Sequence, residues 1–318
     1  MAASITGQCL LCEQVRELQL GHIIPSFVIK WHKRSAPGFV RSNRDPNQRA
    51  QDGPKDHLLC WDCEQIVGEW ENQFRDGLFI PLHDPEPITK ALHYGPWAIK
   101  CAISISMRVL AYYLRNHPEE LNEDQRVAAG VAIAEWRRFL RGEIENPGPY
   151  EQHLLPVDVV ENHTIEDPSP YLNRYLIRAV GMDVLSGGQP LIVYAKLCRL
   201  LLFGFAREPN PKHWKGTRMA AKGGVIVPQR YVLPIQILDY MNARASEVAD
   251  TMKTISPTQR EKIAKTLKDR PGKLGKSELA RAMQADFIHT GEAALQATEP
   301  KDFPKDSGSK EGGRGEYE

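Results

Sequence analysis

Four of the chain's six cysteines form two pairs of equal spacing, Cys9-Leu-Leu-Cys12 and Cys60-Trp-Asp-Cys63. Each CxxC pair puts two sulfurs on one side of a metal, so two such knuckles can close a tetrahedral thiolate site, with zinc the expected ion. One pair alone is equally a redox dithiol. Two in one region, with no secretory leader in view, point to metal rather than disulfides. The alternative is four buried thiols packing as small apolar groups. Between the pairs lies Gly21-His22-Ile23-Ile24-Pro25, where His22 can take a proton near neutral pH. Glu64, Glu69 and Glu71 follow the last cysteine. On a helix beginning near Asp62, Glu64 and Glu71 are two turns apart and share a face, with Glu69 off it. These carboxylates read either as ligands for a hard cation or as a solvated surface with Ile66, Val67 and Trp70 turned inward.

The stretch between the knuckles is also basic. Lys30, Lys33, Arg34, Arg41, Arg44, Arg49 and Lys55 are opposed only by Asp45 and Asp52. Such a run can neutralise phosphates without reading bases, or it is simply a solvated loop. Its place beside His22 favours phosphate as much as solvent.

The order CxxC, His22-Ile-Ile-Pro25 and Leu58-Leu59-Cys60-x-x-Cys63 resembles the zinc-containing branch of the HNH (ββα-metal) endonucleases. The resemblance implies that Cys9, Cys12, Cys60 and Cys63 hold a structural zinc and that His22 is the general base activating water. It also implies a divalent ion, Mg²⁺ or Mn²⁺, held in part by the residue just after the second knuckle, here Glu64. The sequence departs from that pattern at three points. The acidic residue that often precedes the base is Gly21. The middle asparagine has only Asp56 and His57 near its place, and these become the further candidates for the divalent ion. The residues after the second knuckle read Gln65-Ile66-Val67. The Asp52-Gly53 turn, Glu69-Trp70-Glu71 with Phe74, Trp214-x-Gly216-Thr217 and Tyr231-x-x-Pro234 extend the similarity, over most of the chain, to a widespread group of uncharacterised bacterial HNH-like proteins.

These residues need a scaffold. At 318 residues, 42% hydrophobic and 25% charged, the chain has an ordinary globular composition and enough length for one large domain or two modest ones. A net charge of +1 excludes a uniformly basic nucleic-acid binder but leaves room for a local patch. No run reaches the roughly 18–20 apolar residues of a membrane span. Thiolate ligands and the absence of a leader fit a reducing cytoplasm. The reading is α+β: an HNH-like zinc module over 1–83, a mainly helical domain with a short β-hairpin over 84–298, and a disordered tail over 299–318 rich in Lys, Asp, Gly and Ser. A mostly buried helix is expected from Trp97 to Leu114. A second runs from about Asn122 to Arg141, with Val127, Val131, Ile133, Ala134, Phe139 and Leu140 inward. Further helices are expected over Pro168–Val180, over Ile235–Met252, from the Ser256-Pro257-Thr258-Gln259 capping box, and after Ser277. Leu191–Phe205 is either a long strand or a buried helix, and Trp214–Pro228 reads as a short hairpin.

Outside the first module, His153 is either a second acid/base or a hydrogen-bonding core histidine. His213-Trp214 is either a nucleic-acid contact or a hairpin anchored by a buried Trp. Cys101 and Cys198 lie in apolar runs and read as core. Lys222-Gly223-Gly224 lacks a phosphate-loop pattern, and there is no G-x-S-x-G or Rossmann fingerprint. The leading expectation is a metal-dependent nuclease acting on DNA before RNA, with the HNH resemblance suggesting bacterial phage defence and the helical domain supplying target choice, regulation or dimerisation. The rival is a zinc scaffold that binds nucleic acid or a partner protein without cleaving anything.

Overall fold

The structure, a computed structural model, describes residues 5–38, 40–41, 45–49, 52–83, 91–160, 165–227, 229–269, 275 and 277–296. Arg44 and the expected tail over 299–318 lie outside them.

The chain is α+β. It opens with an antiparallel sheet of three strands, β1 (Ile5–Gln8), β2 (Val15–His22) and β3 (Lys55–Cys60), in that order. Leu18 faces Cys60 and His22 faces Lys55, with an irregularity between Gln19 and Leu20. β2 ends at His22, and Pro25 is the N-cap of helix α1 (Ser26–Ser35). Its fixed φ suits the first position outside a helix. Ile23 and Ile24 are both buried and anchor that corner. β3 runs directly into α2 (Trp61–Phe74), whose first turn carries Asp62 and Glu64. Acidic side chains complement the positive end of the helix dipole there. Val67, Trp70 and Phe74 face the core, but Ile66, expected inward, is exposed. A π-helical turn over Arg75–Phe79 and a short α3 (Ile80–Leu82) complete this arm. The π turn lies at Gly77, where a β-carbon would come within 2.7 Å of the Trp97 ring.

α4 (Pro96–Asn116) is the central helix, packed against α2, against α5 (Glu123–Leu140) and against the second large sheet. Among the described helices it alone is long and apolar enough to cross a bilayer, and 67% of its most apolar window is buried inside the protein. α5 starts at a full capping box between Asn122 and Gln125. Its buried side differs from the expected one. Ile133, Phe139 and Leu140 are inside, but Val127 and Val131 are exposed. Ala129, Ala132 and Trp136 take their place, with the Trp136 ring nitrogen donating to the Tyr150 carbonyl at 2.9 Å.

The second part of the chain holds more strand than expected. β5 (Gln152–Pro156), β6 (Val180–Leu185), β7 (Leu191–Leu197) and β8 (Leu200–Arg207) form an antiparallel sheet in the order β5-β8-β7-β6. Leu191–Phe205 is therefore a tight hairpin, neither one strand nor a helix, turning at Cys198 with φ of 57°. Its apolar run has no period because both faces are covered. Leu191, Val193, Ala195 and Leu197 pack into one core with α4 and α5, while Ile192 and Tyr194 pack into a second. The second core is closed by α6 (Leu172–Arg178), α7 (Ile235–Lys253) and α9 (Glu278–Thr290); α8 (Pro257–Lys268) follows α7. The Trp214–Pro228 hairpin does not form. Gly224–Ile226 (β9) pairs instead with Leu92–Tyr94 (β4), while Lys215 bridges to Val232 and Arg218 to His153. Trp214 is nonetheless buried, against Phe203, Phe205 and His153.

Candidate metal centre and the His22 site

Cys9 and Cys12 sit on the turn between β1 and β2, where Glu13 takes φ of 62° and donates its amide to the Cys9 carbonyl at 2.9 Å. Cys60 is the last residue of β3 and Cys63 lies in the first turn of α2. All four sulfurs lie within 4.8 Å of one another. Zn–S bonds of about 2.3 Å in a tetrahedron require sulfurs about 3.8 Å apart. Cys12 and Cys60 stand at 3.8 Å. The Cys60 amide donates to the Cys9 sulfur at 3.3 Å. All six cysteines are free thiols, and of these four only Cys12 is not buried. Burial and the neighbouring sulfurs push the Cys63 thiol up. Four crowded sulfurs, with only the exposed Arg16 guanidinium near Cys12 and Cys60 among the described residues, are a poor core and a good cation site. The cluster can hold a metal ion and is compatible with structural zinc.

His22 ends β2 with its ring partly exposed. Its Nε2 lies 2.7 Å from Asp52 Oδ1. An ionised carboxylate only accepts, so Nε2 carries the hydrogen and Nδ1 is left as the proton acceptor. Lys55 Nζ holds the other Asp52 oxygen at 2.6 Å. Lys55, together with His22 and the Gly53 amide, holds the Asp52 carboxyl well below the usual carboxylate range. The backbone is fixed as well. Arg108 Nη1 donates to the His22 carbonyl at 2.7 Å, and the Ile23 amide donates to Pro54 at 3.0 Å.

Glu64 and Glu71 share a face of α2, as their spacing requires, and Glu69 is exposed. Arg108 Nη2 bonds Glu71 Oε1 at 2.6 Å, and that pair is nearly dry, with side chains 4% and 17% exposed. Glu64 lies against Gly21: a β-carbon there would meet Glu64 Oε1 at 2.2 Å. The carboxylate thus occupies the space that any side chain at position 21 would need. Burial raises the Glu64 pKa, Arg108 opposes this, and Glu71 adds to it. Because successive strand residues face opposite ways, Glu64 approaches β2 from the side away from the His22 ring.

The residues expected to hold a divalent ion are not gathered into one site. Asp56 is held by Arg115 Nη1 at 3.1 Å and Asn116 Nδ2 at 3.2 Å, both from the end of α4. His57 faces Leu20 across the sheet. Among the described residues no group of three ligand atoms forms from His22, Asp56, His57 and Glu64. Of the basic run, Lys30, Lys33, Arg34, Arg49 and Lys55 are exposed, while Arg41 is half-buried and bonded to Gln259 at 2.9 Å. His153 is fully enclosed, between Thr217 Oγ1 at 2.7 Å and Glu151 Oε2 at 3.1 Å, and stacked on Phe205. Both its nitrogens are committed within the fold. Cys101 and Cys198 are buried core residues.

Sequence reasoning missed Asp52 as the partner of His22, having read it only as a turn residue and a stray acid. It also missed Arg108 and Arg115, which are hidden in an otherwise apolar helix. Their separation of seven residues, two helical turns, was the available signal. Compared with models of known protein families, with curated proteins and with solved structures, the chain matches none.

Proposed function

We propose that this protein is a nuclease of HNH type that hydrolyses phosphodiester bonds, with His22 as the general base. The observation that carries the reading is the contact between His22 Nε2 and Asp52 Oδ1 at 2.7 Å, next to a cluster of lysines and arginines. Asp52 orients the ring and favours the tautomer in which Nδ1 faces outward to take a proton from water. Exposed Lys33, Arg34, Arg49 and Lys55 supply sites for phosphates. The HNH resemblance assigns the divalent ion to the positions of Gly21 and Glu64, and here these two residues are in contact. Glu64 is the carboxylate at that contact, with Glu71 close by. A Mg²⁺ or Mn²⁺ of that pattern would stabilise charge on the scissile phosphate; Glu64 stands on the side of β2 away from the His22 ring, which counts against it as the ligand beside that base. The four-cysteine cluster, as a zinc site, would hold β3 and α2 to the β1–β2 turn and so fix where Glu64 stands.

The second reading is a zinc scaffold that binds without cutting. It is favoured by one observation, that Asp56 is taken by Arg115 and Asn116 and that, among the described residues, His22, Asp56, His57 and Glu64 form no three-ligand group. One experiment separates the two readings. Plasmid DNA, oligonucleotides and total RNA are incubated with purified protein and Mg²⁺ or Mn²⁺, beside His22→Ala. Metal-dependent cleavage that His22→Ala lowers by about 10²–10⁴ supports the nuclease. Cleavage in no condition, or cleavage that survives in His22→Ala, refutes it.

A further inference from the structure

A groove of about 1280 Å³ lies between the zinc module and the C-terminal helices. α1 and the loop after it form one wall, α7, α8 and α9 contribute the other, and the end of α4 with β6 lies between them. The loop reaches across. Arg41 bonds Gln259, and Asn47 both donates to the Thr254 carbonyl and accepts from the Ser256 amide. Nine lysines and arginines line the groove against two carboxylates, Asp52 and Glu247. In a chain of net charge +1, that is a strong local concentration of cations.

Not all of these cations are available. Arg174 is paired with buried Asp286, and Arg178 bonds the His32 carbonyl and Ser35 and approaches Glu278. They build the walls. Lys33 on α1 and Lys262 on α8 are exposed, Lys55 is held only by Asp52, and Arg244 is a solvent-facing partner of Glu247. Apolar and aromatic residues share the lining, Tyr112 among them, while the Tyr171 ring carries the Arg174 guanidinium over one face. Asp52 and Lys55 belong to the same lining, and Asp52 is the residue that holds His22.

We propose that this groove takes a single strand of nucleic acid, phosphates on its cations and bases on Tyr112 and its aliphatic side chains, and leads the strand to His22. A duplex offers only phosphates to such a surface and would leave the apolar side chains without a partner. A single strand exposes base faces that stack on aromatic rings whatever their sequence. The inference deepens the nuclease reading and rests on it for the direction of the strand, but binding can be measured without cleavage.

The test uses the full-length protein without added divalent ion. The probes are a labelled 12-nucleotide oligo(dT) and the same strand annealed to oligo(dA), compared across 50–200 mM salt. The variants are Arg244→Glu/Lys262→Glu and, as a second pair, Lys33→Glu/Lys262→Glu; circular dichroism checks their fold, and Arg244→Lys/Lys262→Arg is the conservative control. The expected result is tighter binding of the single strand than of the duplex, at least tenfold weaker in the charge reversals and restored in the control. The slope of log affinity against log salt should be smaller by about 1.4, about 0.7 for each phosphate contact removed from a single strand. Unchanged single-strand affinity in both charge reversals overturns the proposal, and so does duplex binding equal to or tighter than single-strand binding. If the strand binds as described but neither Mg²⁺ nor Mn²⁺ gives cleavage, the nuclease reading fails and the groove stands. If cleavage occurs and the charge reversals leave binding intact, the groove fails and the nuclease stands.

Discussion

Replacing Arg108 with Met should destabilise the protein more than any surface substitution in the N-terminal three-stranded sheet or α2. The guanidinium is 4% exposed and reaches Glu71 at 2.6 Å, the His22 carbonyl at 2.7 Å and the Ser104 carbonyl at 3.2 Å. The Ser104 carbonyl keeps its helix bond, so its loss matters little. Glu71, 17% exposed, keeps its charge and loses its counterion. Breaking a buried ion pair from one side costs about 3–5 kcal/mol, because the remaining charge stays desolvated. Domains are stable by about 5–15 kcal/mol, so the variant should remain folded with a clearly lower denaturation midpoint. Arg108→Met/Glu71→Leu removes both charges and should recover to within about 1–2 kcal/mol of wild type. Urea unfolding followed by tryptophan fluorescence gives all four corners of this cycle. A single-variant cost below about 1 kcal/mol would refute the reasoning, as would a double variant equal to the sum of the singles, since coupled partners do not add.

Three further outcomes are expected. Purified protein should carry about one zinc per chain by metal analysis, and Cys60→Ser should lose it and unfold more readily; an unchanged zinc content removes the metal assignment. Asp52→Asn should leave the fold intact and slow any nuclease turnover by about tenfold or more, because the amide no longer fixes the tautomer of His22; equal rates would show that Asp52 only serves the turn. Burial pushes His83 down to about 3 from 6.5, and its Nε2 accepts the Arg199 amide at 3.0 Å, so it stays neutral in the fold. The depressed value means that the unfolded chain takes up this proton first. Stability is then full above about pH 6.5 and falls by about 1.4 kcal/mol per pH unit from there toward pH 3. His83→Gln should flatten that part of the stability–pH curve measured by denaturant unfolding, and an identical curve would refute the assignment.

What the sequence showed and what it hid follow one rule. The two knuckles were legible because four residues of one rare type at fixed spacing have few uses, and in the structure their sulfurs meet. The central helix was legible because apolar residues cover most of its wheel. The Leu191–Phe205 hairpin was not, because a strand buried on both faces loses its alternation, and the turn at Cys198 carries no Gly or Asn to mark it. The inner face of α5 was misread for a related reason. Ala129, Ala132 and Trp136 form the buried stripe, and two exposed valines outweighed two small alanines in the pattern. The role of Asp52 depends on a loop bringing it back to β2 from thirty residues away, which no periodicity reports.

The same logic locates what governs His22. The cysteine knuckles join the β1–β2 turn to the end of β3 and the start of α2, away from the His22 end of β2. The His22 backbone is held by Arg108, and the neighbouring strand at Asp56 by Arg115 and Asn116, all three on α4. One helix face therefore grips β2 and β3 from behind, while Asp52 fixes the ring from the front. The core is continuous across this contact, from the buried cysteines through Phe74 and Ile103 to Val193. A change in how α4 packs on the second sheet would be felt at the His22 carbonyl through a single side chain, Arg108. The cysteine cluster ties the first sheet to α2, and the central helix holds the backbone from which His22 projects.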